Sequence, residues 1–325
     1  ARALCENTGY EELSLSSLST SDYKNLPALL EEMLAWSDED RVRISLPSLR
    51  IDNFPKELLE KLQGMRKTGL TFAPEAGTQR MRDVINKNIT EEDILRACET
   101  AFEGGHTAVK LYFMLGLPGE TMEDVEGIAA LAQRIVDTYY QLENRPKGKG
   151  VNVSVSVSVF VPKPHTPFQW APQDPRETIL EKQRRLRECV RTKKISLSWH
   201  EGGASFLEAV FARGDRRLSR VLEAAHASGC VLDGWGEFFD FGKWMRAFGE
   251  CGLDPAFYAT RAREYDEVLP WEHLSYGVTK EFLMREFDRA KRGETTPNCR
   301  ESCAGCGAAA WKGGVCIEAR TDPVQ

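Results

Sequence analysis

Residues 151–159 read Val-Asn-Val-Ser-Val-Ser-Val-Ser-Val, so every valine falls on one face of an extended chain and every polar residue on the other. Such a run predicts a strand with one buried and one polar face. Four other β-type runs repeat the pattern: Glu12 to Ser17, Arg41 to Leu46, Gly69 to Ala73 and Ala108 to Leu115. Their second faces carry Ser14 and Ser16; Arg43 and Ser45; Thr71 and Ala73, with Glu75 just beyond; and Lys110, Tyr112 and Met114. Amphipathic stretches separate the runs, near Tyr23 to Trp36, Lys56 to Lys67, Thr78 to Ile85, Glu91 to Glu103 and Met122 to Tyr140. Connections this long and helical predict parallel strands rather than hairpins. A flat parallel sheet covered on both faces would carry unbroken apolar runs. Strands that each keep a small or polar face predict an α/β fold of the TIM-like (β/α) barrel type, its lumen open to a polar ligand. The alternative is an antiparallel sheet with one wet face.

Local signals set several boundaries. Thr90-Glu-Glu-Asp93 and Thr121-Met-Glu-Asp124 have the form of capping boxes and mark two helix starts. The first ten residues read as a helix stopped at Gly9, so the chain is expected to begin in mid-domain, as a partial barrel lacking its first strand. After Trp170 come a charged helix from Glu177 to Lys194, a last strand from Ile195 to Trp199, a largely helical region, and an amphipathic helix from Gly277 to Arg292. Three parts are expected: a partial barrel over residues 1–200, a mainly helical region over 201–292, and a Cys-rich knuckle over 293–325.

That last part carries Cys299, Cys303 and Cys306 in a C-x3-C-x2-C run, with Cys316 further on, among glycines and alanines. Thiolates at this spacing predict ligands of a soft metal centre, either an iron-sulfur cluster or zinc, and the spacing does not choose between them. The other thiols are scattered, and nine cysteines in 325 residues do not form a secreted disulfide framework. The net charge of −6 gives no global basic footprint for nucleic acid or anionic membrane. No apolar run is long enough to span a bilayer, and a cytoplasmic protein is expected.

In parallel barrels, ligands bind where strands run into helices. Here those junctions read Ser16-Ser-Leu-Ser-Thr20; Ala73-Pro-Glu-Ala-Gly-Thr78, which sets a carboxylate beside a glycine; Leu115-Gly-Leu-Pro-Gly-Glu-Thr121; and Val161-Pro-Lys-Pro-His-Thr-Pro167. Taken singly, Gly116 and Gly119 could be turn glycines, Glu75 a helix-start acid and Lys110 an ordinary strand lysine.

Taken in order, these junctions resemble the radical S-adenosylmethionine superfamily. Within it they look most like cobalamin-linked enzymes and tRNA methylthiotransferases. The matching segments are Ala73-Pro-Glu75-Ala-Gly77-Thr78 followed by Asn86-Lys-Asn88-Ile-Thr90; Gly116-Leu-Pro-Gly119-Glu120-Thr121; and Pro162-Lys-Pro164-His-Thr166-Pro167. The resemblance covers roughly residues 10 to 170. More weakly, the tail looks like that of an uncharacterised subfamily. The resemblance implies that Ser14, Ser16, Ser17, Glu75 and Gly77 line an S-adenosylmethionine pocket, with Lys110 at its rim. It also implies that Gly116, Gly119 and Glu120 pass close to the adenosine and that Phe160 and Val161 flank the adenine. Implied cofactors are S-adenosylmethionine, a four-iron four-sulfur cluster and possible cobalamin; implied partners are an electron donor such as flavodoxin or ferredoxin and a substrate of unknown class. The reaction would run through a 5′-deoxyadenosyl radical or a cobalamin-assisted methyl transfer.

The family's catalytic cluster is held by C-x3-C-x2-C after the first barrel strand, and nothing near Cys5 supplies it. That triplet is expected upstream of Ala1, which leaves the chain alone inactive. A permuted catalytic site at Cys299 would need a strand before it, and Thr295-Thr-Pro-Asn follows a helix instead. Two other functions compete. The basic run of Lys182, Arg184, Arg185, Arg187, Arg191, Lys193 and Lys194, together with the knuckle, could hold RNA or a ribosomal partner, although Glu181 and Glu188 give it the look of a solvated face. A plain barrel enzyme could instead bind phosphate at Gly116 to Thr121.

Overall fold

The computed structural model describes residues 1–15, 23, 25–37, 39–45, 70–146, 148–299 and 301–311. The expected helix from Lys56 to Lys67 lies outside them. All described strands pair in parallel, which removes the antiparallel alternative. Strand β1 (Glu12–Ser14) pairs with β2 (Arg43–Ser45), while β3 (Leu70–Glu75), β4 (Ala108–Leu115), β5 (Asn152–Val159) and β6 (Ile195–Trp199) form a four-stranded sheet in chain order. Sequential parallel neighbours joined by helices are the arrangement found along a barrel wall.

Strand register aligns the polar faces into rows. Lys110 stands opposite Thr71 and Ser154, and Ser154 opposite Ser196; Tyr112 stands opposite Ser156, and Ser156 opposite Ser198. A one-residue slip would turn all these groups into the core. On the other face Val153, Val155 and Val157 are buried with Phe72, Leu111, Phe113 and Leu115. They pack under α4 (Glu91–Glu103) and α5 (Met122–Gln141) through Ile94, Phe102, Ile128, Ile135 and Tyr139.

The helix signals act locally, as expected from capping chemistry. Helix α1 (Arg2–Thr8) stops at Gly9 with φ 71, a left-handed cap that costs glycine nothing. Both capping boxes form, Thr90 with Asp93 and Thr121 with Asp124. The other early helices are α2 (Leu26–Ser37) and α3 (Gln79–Val84). Helix α6 (Arg176–Cys189) is shorter than expected, because Val190 is extended and the chain turns to bring Ile195 into register with Val153.

The later region contains α7 (Gly202–Ala212), α8 (Ser219–Ala227), α9 (Phe241–Glu250), α10 (Pro255–Ala259) and α11 (Lys280–Lys291). It has its own core of Leu207, Val210, Val221, Trp244, Phe248 and Tyr258. Buried polar groups fasten it to the segment after β5. Gln173 donates to Phe160 O at 3.0 Å and Ser205 O at 3.1 Å, and Arg263 N donates to Trp170 O at 3.0 Å, while within the region Arg213 donates to Ala259 O at 2.6 Å and Arg261 O at 2.9 Å. Helix α11 crosses to the carboxyl ends of the strands, where Ala290 packs with Ala76, Met81, Val84, Leu117 and Phe160. Among the described residues no helix is long and apolar enough to cross a membrane.

Candidate functional site

The exit of β3 is built around an unusual backbone. Glu75 has φ 68 at a register irregularity between Phe72 and Glu75, a conformation that non-glycine residues hold only when their surroundings impose it. Its half-buried carboxylate accepts from Lys87 Nζ at 3.2 Å. Arg82, wholly buried on α3, donates to Ala76 O at 3.0 Å and pins the next residue. Gly77 has a packing role. A Cβ there would stand 2.3 Å from Ile128 N and 2.7 Å from Asp124 O, so the glycine lets the loop lie against the α5 backbone.

Asp124 joins the β3 and β4 exits. Its buried carboxylate accepts from Thr78 Oγ1 at 2.6 Å, from Thr121 N at 2.8 Å and from Arg80, whose guanidinium also donates to Gly119 O at 3.0 Å. Burial works to raise its pKa, but the hydrogen bonds from Thr78, Arg80 and Thr121 outweigh it and hold the carboxyl below the ordinary carboxylate range. A depressed acid stabilises the fold above its ordinary pKa, about 3.9 for Asp, and that stabilisation is lost as pH falls through the lower folded value. Chemical unfolding followed from about pH 5 down to pH 2 is therefore expected to show an acid loss of stability. Asp124→Asn should make that limb shallower.

Glu120 does not line a ligand pocket, in contrast to the expectation. Its carboxylate is turned inward, accepting from Gly116 N at 2.8 Å and pairing with Lys182 of α6 at 2.8 Å; Lys182 also reaches Asp174 at 2.7 Å. The acid thereby bolts its own loop to α6. Burial raises Glu120 above the usual carboxylate range, and Lys182 draws it back. For Lys182, burial is more than offset by Glu120 and Asp174, which hold the ammonium above its ordinary pKa. Gly116, at φ 82, is hemmed in likewise, with Ile179 Cδ1 2.9 Å from where its Cβ would be. Gly119, at φ 78, has open space where a Cβ would stand, with no atom within 4 Å of that point, although its carbonyl accepts from Arg80.

The remaining expected residues are dispersed. Lys110 lies on the polar row near the start of β4, six residues before Gly116, or about 20 Å at the rise of a parallel strand. Its Nζ rests 4.8 Å from the Tyr112 ring centre, not at the strand-end rim. Phe160 sits at the mouth, edge-on to Phe168 at 5.6 Å, whereas Val161 turns away into the helical core. Ser14 is exposed at the end of β1; Ser16 and Ser17 lie outside the described residues. At these strand exits Glu75 thus pairs with Lys87, Arg80 ties Gly119 to Asp124, and Phe160 packs with Ala76 and Leu117; Lys87 and Leu117 are neighbours the sequence did not single out.

Three of the seven residues of the basic run have intramolecular partners, while Arg184, Arg191 and Lys193 are exposed. Lys182 is buried, Arg185 pairs with Glu126 at 2.7 Å, and Arg187 stacks 4.6 Å from the Trp199 ring centre.

The tail docks on the same end of the sheet. Thr296 N donates to Asn86 Oδ1 at 2.8 Å, and Asn88 Nδ2 donates to Thr296 O at 3.3 Å. Both asparagines have positive φ, 52 and 54. Cys299, Cys303 and Cys306 all line a cavity of about 600 Å³ between this step and α11. Cys316 lies outside the described residues.

Residues 1–132 match the model of the radical SAM superfamily. The matched span takes in β1 to β4 and both junctions tied together by Asp124. Over 243 residues the chain is also 32% identical to an uncharacterised protein of Methanocaldococcus jannaschii, covering 72% of this chain and 50% of that protein. The chain therefore spans half the length of this relative. The parallel α/β architecture is consistent with a radical SAM TIM-like barrel.

Of the two cofactors that the matched family implies, the residues at the strand exits have the chemistry for one. A carboxylate at Glu75, an unobstructed backbone at Gly119 and an apolar wall of Phe160 and Leu117 suit the ammonium, polar rim and flat base of S-adenosylmethionine. The four-iron cluster does not fit residues 1–298. Their cysteines, Cys5, Cys98, Cys189, Cys230 and Cys251, have no triplet spacing, and burial pushes the Cys98 thiol up to about 12. Among the described residues no three His, Cys, Asp or Glu side chains already stand together as metal ligands.

Proposed function

We propose that this chain carries the S-adenosylmethionine-binding part of a radical SAM enzyme, with the cofactor at the carboxyl ends of β3 to β5. The observation that supports this most is the left-handed, bulged Glu75 at the exit of β3, inside the family-matched segment. Glu75 takes the ammonium of the methionyl group, with Lys87 holding the carboxylate in place. Gly119 offers bare backbone, Phe160 and Leu117 form the apolar side, and α11 shields the mouth from water. In this family the iron-sulfur cluster, when bound, supplies the electron that cleaves S-adenosylmethionine.

The finer reading keeps the branch suggested by the motifs. The whole protein would generate a 5′-deoxyadenosyl radical or assist a cobalamin-dependent methyl transfer on RNA or a ribosomal protein, drawing electrons from a flavodoxin or ferredoxin in the cytoplasm. If the whole protein, reconstituted anaerobically and reduced, makes neither 5′-deoxyadenosine nor a methylated product, this reading fails.

Glu75 provides the simplest check. Because its side chain is half-buried at the surface, Glu75→Gln should leave thermal stability nearly unchanged. Loss of one charge-assisted contact worth about 1.5 kcal/mol or more should weaken S-adenosylmethionine binding on the order of 10-fold in calorimetric titration. Equal affinities would remove Glu75 from the site.

A further inference from the structure

We infer that Cys299, Cys303 and Cys306 hold a thiolate-ligated soft-metal centre in the cavity at the strand ends, and that Asn86 and Asn88 are positioning residues for it. The inference goes beyond S-adenosylmethionine binding and does not depend on it.

Four observations carry it. The three cysteines share one cavity, of about 600 Å³, whose other walls include Val84, Ile85, Phe168 and Phe282. Cysteines at C-x3-C-x2-C spacing that line one cavity are the residue type and pattern of a soft-metal site. Secondly, the chain is clamped just before the first cysteine. Asn86 and Asn88 hold the N–H and the C=O of Thr296, and the Thr296 hydroxyl donates to Glu286 at 2.6 Å. Thirdly, the chain is held at the last cysteine. Cys306 O accepts from Thr279 N at 2.9 Å, and Arg285 donates to Ala304 O at 2.5 Å. Fourthly, glycines with φ 68 and 97, Gly305 and Gly307, flank Cys306; a Cβ on Gly307 would stand 2.6 Å from Gly277 O. The turn is therefore shaped around this cysteine and pressed on the residues leading into α11.

A loop fixed at both ends has already met most of its closure entropy, so metal binding has only to turn three side chains inward. The side chains are not yet gathered at ligand separations among the described residues, so the ion draws them together and tightens the loop. Each thiol loses its proton to solvent on ligation, and no oxidant or reductant is needed for zinc. An iron-sulfur cluster would be assembled from ferrous iron and sulfide.

The chain purified without oxygen separates these cases. One portion is given zinc or cobalt(II), another ferrous iron and sulfide, and metal per chain is measured after desalting. About one zinc, or about four irons with matching sulfide, is expected to remain bound, the preferred loading naming the centre. The variant carrying Cys299→Ser, Cys303→Ser and Cys306→Ser should retain neither, lack the cobalt-thiolate charge-transfer absorption, and bind S-adenosylmethionine as the parent does. Asn86→Ala with Asn88→Ala should keep the stoichiometry and weaken metal affinity on the order of 10-fold. Metal bound equally by the triple serine variant, or no metal bound by the parent, overturns the centre. Unchanged affinity in the double alanine variant overturns the positioning role. Failure of S-adenosylmethionine to bind would touch only the proposal for the radical SAM site.

Discussion

Lys182→Met is expected to lower folding stability by about 3–5 kcal/mol, measured as a shift of the urea midpoint with little change in slope. The reason is desolvation. Glu120 and Lys182 have side chains almost wholly removed from water and lie 2.8 Å apart, so deleting the ammonium leaves a buried carboxylate with only Gly116 N–H and no counter-charge. Surface pairs such as Lys291 with Asp288 are worth far less, because water already solvates both partners. Adding Glu120→Gln to Lys182→Met should recover much of the loss, since a neutral amide at that site no longer needs the cation. A loss below about 1 kcal/mol for the single change would mean that the pair does not hold the β4 exit loop to α6.

Gly77→Ala should cost about 3 kcal/mol, the upper part of the range for overpacking a tight site. The obstacle is main chain, with Ile128 N, the Gly127 carbonyl carbon and Asp124 O all within 2.7 Å of the new methyl group, and main chain cannot rotate aside as a side chain does. The loop must then move off α5, loosening the Thr78 and Arg80 contacts to Asp124. Thermal unfolding of the ligand-free protein is the deciding measurement. Were Gly77 there to admit a ligand, the ligand-free variant would melt like the parent and only binding would suffer.

Both predictions turn on residues, Glu120 and Gly77, that the resemblance placed in the cofactor pocket. Glu120 and Gly77 sit within motifs that resemble the radical SAM superfamily, and the motifs were legible because they are local strings at the ends of recognisable strands. Their side-chain duties were not legible, because the partners are remote: Lys182 lies on a helix after β5, and Ile128 one strand further along the chain than Gly77. The same holds for Asn86 and Asn88, whose partner Thr296 is more than two hundred residues away. Positive φ at two successive asparagine positions was the one local hint, and φ is not written in a sequence.

By itself the sequence determined the period-two faces of β3 to β5, the starts of α4 and α5, the stop at Gly9 and the clustered tail thiols. Each depends on chemistry within a few residues, such as pleat alternation, capping hydrogen bonds and glycine's freedom at positive φ. Only the tertiary structure decided the parallel register that aligns the polar rows, the turning of Glu120 inward and Val161 away, and the docking of the tail over the strand ends. These outcomes depend on burial and on long-range partners, where the cost of leaving a buried charge or backbone group unpaired outweighs any local preference.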